Sequence, residues 1–119
     1  MPRVRRGFKR HHRRTKILKL AKGFWGARRR LYKTAKEAVD HAMLYAYRDR
    51  KVRKRQFRRL WITRIGAAAR INEMSYGTFM GGLRTAGVEM DRKTLSEMAI
   101  TDPEGFSRLA GLARETLAR

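Results

Sequence analysis

The chain has 119 residues, of which 31 are Lys or Arg and 10 are Asp or Glu, for a net charge of +21. Charge at that density repels itself on compaction and calls for a polyanion partner, polyphosphate first among them, because each cation that meets a phosphate releases condensed counterions. No Cys is present, which excludes disulfides and thiolate metal sites, and no stretch approaches the roughly 20 apolar residues of a membrane span.

The charge is sorted along the chain. Met1 to Arg70 holds 25 basic and 3 acidic residues, a balance of +22, whereas Ile71 to Arg119 holds 6 and 7, a balance of −1. The length allows one small domain with its own core plus an extension. Residues 1–56 therefore read as an extended basic arm and long helix, and residues 57–119 as a globular helical domain. The start, Pro2, Arg3, Arg5 and Arg6 with no apolar run behind them, does not read as a secretory signal, and a soluble intracellular protein is the expectation.

Met1 to His12 has too few apolar residues to bury anything and is expected to be disordered when free. Arg3, Arg5, Arg6, Lys9, Arg10, His11 and His12 are its candidate nucleic-acid ligands. From Arg13 to Lys22, Ile17, Leu18, Leu20 and Ala21 alternate with cations, which predicts a short helix presenting Arg13, Arg14, Lys16, Lys19 and Lys22 on a broad basic face. Gly23 and Gly26 then bracket Phe24 and Trp25, a break that sets two rings beside Arg28, Arg29 and Arg30. Such rings stack on unpaired bases or ribose, or they pack the arm against the next helix; both readings stand.

From Ala27 to about Ile71 there is no Pro and no Gly but Gly66, which permits one helix of roughly 65 Å. Leu31, Ala35, Ala38, Ala42 and Tyr45 form a narrow seam along its first section, too short for a coiled coil, that rests on a partner or on the preceding helix. Lys33 lies in the same section. Between Arg48 and Arg59 the chain carries eight cations, Arg48, Arg50, Lys51, Arg53, Lys54, Arg55, Arg58 and Arg59, against the single acid Asp49. Like-charge pairs such as Lys51 with Arg55 each destabilise an isolated helix by about 0.2 to 0.5 kcal/mol, so this section should fray when free and form as phosphate binds. Arg64 and Arg70 continue the series.

At Phe57 the pattern becomes Phe57, Leu60, Trp61, Ile65, Ala68 and Ile71, the face of a packed helix. Ser75 can cap a helix carrying Phe79, Met80 and Leu83 that stops at Gly87, Asp91 one carrying Leu95, Met98 and Ala99, and Asp102 with Pro103 one carrying Phe106, Leu109, Ala110, Ala113 and Leu117. No segment alternates like a strand. The fold class is all-α, an extended basic arm and long helix leading into a small helical domain. Gly77, Gly81 and Gly82 within one helix suggest close backbone approach, to another helix or to a sugar-phosphate chain. Asn72 and Ser75 at that helix's start are candidate anion ligands, with simple capping as the alternative.

No catalytic constellation, cofactor motif or metal-ligand spacing is present. His11 and His12 lack any nearby carboxylate or Cys, and Gly81 and Gly82 belong to no phosphate loop. Neither an enzyme nor a small-molecule substrate is expected. A membrane-active helix is disfavoured, because the charge between Arg48 and Arg59 goes all round and leaves no wide apolar face. Composition alone does not choose RNA over DNA, and a DNA-compacting architectural protein is the alternative.

Three blocks choose: KGFWGARRR (Lys22 to Arg30), the YRDRKVRKRQFRRLW run ending at Trp61, and Arg64 to Ser75. Through them the chain closely resembles the bacterial large-subunit ribosomal protein twenty family. The resemblance implies an N-terminal part threaded through 23S ribosomal RNA, a globular C-terminal domain on the subunit exterior, and a role early in large-subunit assembly on the cytoplasmic ribosome. It further implies neighbouring large-subunit proteins as partners and, for some members, repression of their own messenger RNA through the C-terminal domain.

Overall fold

The computed structural model describes Pro2, Arg3 and residues 7–119. Its elements are α1 (Lys9–Leu20), a 3-10 turn (Gly26–Arg29), α2 (Tyr32–Ile71), α3 (Tyr76–Thr85), α4 (Arg92–Thr101) and α5 (Pro103–Leu117), with no strand among the described residues. The all-α expectation holds. Contacts divide the chain into two units, Met1–Lys51 and Val52–Arg119, with the boundary inside α2.

The first unit has a minimal core. Ala21, Ala35 and Val39 are buried, with Ile17, Leu18 and Phe24 packed half-buried around them. Helix α1 contributes no fully buried residue. It starts four residues before the predicted Arg13, because the break comes at Gly7, whose φ of +61° is left-handed, and the Phe8 carbonyl accepts from the His12 N–H at 2.9 Å. Lys9 to His12 thus belong to α1. Helix α2 starts at Tyr32 and not at Ala27. Arg30 and Leu31 both donate to the Ala27 carbonyl, at 3.1 and 2.9 Å, which closes a 3-10 turn. The Thr34 hydroxyl then donates to the carbonyls of Ala27 and Leu31, a local competitor to continued α-helix. Helix α2 runs for 40 residues.

In the second unit Ile65 and Ala69 of α2 pack with Met74, Phe79, Leu83, Leu95, Phe106, Ala110 and Ala113 in one core. The rings of Phe79 and Phe106 stack at 4.8 Å between centroids, pinning α3 to α5. Crossing there is close enough that a Cβ on Gly82 would stand 2.6 Å from the Ala113 carbonyl oxygen. Gly82 is thus explained by helix packing, whereas Gly81 meets nothing within 4 Å.

Each predicted cap forms. Ser75, Asp91 and Asp102 accept from the backbone N–H of Thr78, Thr94 and Gly105 at 3.1, 2.7 and 2.9 Å. Gly87, at φ +74°, ends α3 in a Schellman motif, with Val88 N–H on the Leu83 carbonyl at 3.0 Å and Gly87 N–H on Arg84 at 3.1 Å. The same motif ends α2, but with Glu73 at φ +60° in the left-handed position and Met74 N–H on the Ala69 carbonyl at 2.9 Å. Arg114 of α5 donates to the Asn72 carbonyl, supplying the cation that a helix C-terminus favours.

The predicted packing face of α2 is corrected in part. Phe57 is 47% exposed and Ile71 83% exposed, and Leu60 also faces solvent. Three short helices cover only the stripe through Ile65 and Ala69, with Trp61 and Ala68 half-buried on its flanks.

Candidate nucleic-acid interface

The cations of α1 point outward because Ile17 and Leu18 take the inner side. Lys9, Arg10, His11, His12, Arg13, Arg14, Lys16 and Lys19 are all exposed, as is Arg3. Arg5 and Arg6 lie outside the described residues. Arg14 stacks over the Tyr32 ring at 5.3 Å, which ties α1 to the start of α2 through a cation–π contact. His11 pairs weakly with Thr15 at 3.5 Å, and no group of three metal-ligating side chains forms among the described residues.

Where α1 ends, four cations converge. Lys19 and Lys22 from one side and Arg29 and Arg30 from the 3-10 turn line a groove of about 380 Å³ floored by Leu18. No acid lines it, and a phosphate-bearing ligand has the charge to neutralise it. Gly23 (φ +86°) and Gly26 (φ +60°) turn the chain between these cations and divide the two rings by role. Phe24 packs into the core, and Trp25 is 90% exposed. The packing reading holds for Phe24, and Trp25 is left outside the core.

Along α2, Lys33, Arg48, Arg50 and Lys51 in the first unit and Arg53, Lys54, Arg55, Arg58, Arg59, Arg64 and Arg70 in the second are all exposed. Among the described residues one ion pair forms, Arg48 Nε with Asp49 Oδ1 at 2.8 Å. That hydrogen bond lifts the Arg48 guanidinium above its ordinary value and holds the Asp49 carboxyl below the usual carboxylate range. The pair is solvent-exposed, so its contribution to stability is small.

Sequence reasoning missed the tyrosines. Arg48 lies over Tyr45 at 4.8 Å, and Lys51 lies over Tyr47 at 4.6 Å while donating to its hydroxyl at 3.0 Å. These contacts occur at i, i+3 and i, i+4, a spacing legible in the sequence, and they hold cations on the helix surface with their outer faces free. Lys93 shares a groove of about 250 Å³ with Trp61 and Arg64 in the second unit. Asn72 and Ser75 have internal partners. The Asn72 side-chain amide donates to the Ala68 carbonyl at 2.9 Å, and Ser75 caps α3 while sharing a hydrogen bond with the Thr78 hydroxyl at 2.7 Å.

Exposed Arg and Lys on helices, with an aromatic ring turned to solvent, describe a strongly basic all-helical protein. The comparisons with known proteins make the class specific. A family profile described as Ribosomal protein L20 matches residues 3–109. The large ribosomal subunit protein bL20 of Desulfosudis oleivorans is 63% identical over 113 residues, covering 95% of this chain and 97% of that protein. Its counterparts from Desulfotalea psychrophila and Geobacter sulfurreducens are 59% and 60% identical over 118 and 114 residues, which is 99% and 96% of this chain and 100% and 97% of theirs. This chain belongs to the ribosomal protein L20 family, a family of structural ribosomal proteins and not of enzymes.

Proposed function

We propose that this chain is a structural constituent of the large ribosomal subunit in the cytoplasm, binding 23S ribosomal RNA directly and supporting early assembly of the subunit beside neighbouring large-subunit proteins. The observation that carries the reading is the groove of Lys19, Lys22, Arg29 and Arg30, which concentrates positive charge with no internal counter-charge, in a chain related to the L20 family over nearly its whole length. Cations so placed screen the repulsion between RNA segments that must converge, and the protein acts as an architectural clamp. The groove cations, the exposed Arg and Lys of α1 and α2, and Trp25 are the proposed contacts. Asn72 and Ser75 have side chains already engaged in the domain, and the second amide N–H of Asn72 is the donor left for a phosphate.

Binding measured across a salt series tests this. The full chain should bind large-subunit RNA fragments with affinity falling steeply in salt and should prefer them to random RNA and to duplex DNA. A shallow slope, or equal affinity for random RNA at physiological salt, speaks against the reading, and preference for DNA supports the DNA-compacting alternative. Repression of the chain's own messenger would require a messenger structure that competes with the ribosomal RNA for the second unit, which the same competition format reports.

A further inference from the structure

A second groove, of about 770 Å³, lies on the other side of the Phe24–Trp25 loop within the first unit. Trp25 and Arg28 line it from the loop, Glu37, His41 and Tyr45 from α2, and Ala38 and Ala42 form a smooth floor. Its volume is within the range of small-ligand pockets. With Phe24 anchored in the core, the indole of Trp25 is held 90% exposed at the rim, a flat apolar face with nothing of the chain upon it. His41 stacks on Tyr45 at 6.2 Å between centroids, 28° from parallel, so the α2 side of the groove is aromatic.

Glu37 is the feature that phosphate binding does not explain. It is one of 3 acidic residues before Ile71, and among the described residues it forms no ion pair. Beside a bound strand its carboxylate repels phosphate oxygens. A base edge reverses the sign. An ionised carboxylate is an acceptor only, and it matches two adjacent donors best. The Watson–Crick edge of guanine presents such donors, N1–H and the N2 amino group, whereas adenine, cytosine and uracil each set a single donor group beside acceptors. We propose that this groove receives an unpaired guanine, stacked on Trp25 and read by Glu37, with Arg28 meeting the adjoining phosphate. The proposal rests on the reading that the chain binds ribosomal RNA.

The test is protection of guanine in the full chain's complex with 23S ribosomal RNA, probed with a glyoxal reagent that modifies N1 and N2 and mapped by primer extension, with affinity measured in parallel. The unsubstituted chain should shield a guanine that is reactive in free RNA. Glu37→Gln should return its reactivity and lower affinity, because an acceptor paired with the base is lost; a simple electrostatic role predicts a rise in affinity with the guanine still shielded. Trp25→Ala, a change at an exposed position, should return the reactivity and lower affinity about tenfold. If tight, salt-dependent binding persists but no guanine responds to both substitutions, this proposal is overturned and the RNA reading stands. If the unsubstituted chain shows no preference for 23S RNA, both fall.

Discussion

Gly81 and Gly82 are neighbours in α3 that lack side chains for different reasons. A methyl group at Gly82 would collide with the backbone of Ala113, at 2.6 Å from its carbonyl oxygen and 2.9 Å from its Cα, and neither can give way without moving α5. Gly82→Ala should therefore destabilise the domain by about 1 to 3 kcal/mol, read as a lower midpoint in urea. Gly81→Ala meets open space and removes backbone entropy from the unfolded chain, so it should stabilise by about 0.5 to 1 kcal/mol. The sequence marks the cluster of glycines but not which of them a neighbouring helix requires. Phe24 and Trp25 teach the same lesson: both are legible as loop aromatics, and the fold alone decides that one packs half-buried against the core and the other is offered to solvent.

At the scale of elements, what is local was legible. The caps at Ser75, Asp91 and Asp102 and the stop at Gly87 are set by hydrogen bonds spanning three to five residues, and each was readable from residue types alone. Asp91 carries a pH dependence. Hydrogen bonds from the Thr94 side chain and backbone N–H hold its carboxyl below the usual carboxylate range. A carboxyl whose folded value is depressed contributes stability that is present above its unfolded value and lost as pH falls through the folded one. The gap in melting temperature between the unsubstituted chain and Asp91→Ala should thus be full at neutral pH and close as pH drops below the carboxylate range; a gap constant from pH 7 to pH 2 would contradict this cap. The start of α2 was not legible, because the 3-10 turn at Gly26–Arg29 depends on Thr34 reaching back seven residues to Ala27. Nor was the buried stripe of α2, since the helix has apolar residues on more than one side and only its neighbours select Ile65 and Ala69.

At the scale of the molecule, the two units differ in what holds them. Val52–Arg119 closes around stacked Phe79 and Phe106 with three capped helices, and as a fragment it should fold alone with a cooperative thermal transition. Met1–Lys51 has two alanines and one valine fully buried and carries most of the unpaired charge. A chain of residues 1–56 should show little helix by circular dichroism at low salt and gain it when RNA is added, as screening relieves the like-charge pairs; stable helicity without RNA would contradict this. The helical class, the caps, the polyanion partner and the family were determined by the sequence by itself, because they follow from contacts a few residues apart, from summed charge, and from long blocks of unusual composition. The stripe of α2 that is covered, the convergence of four cations in one groove, the outward turn of Trp25 and the unpaired Glu37 were decided by tertiary structure, because each depends on residues that only folding brings together.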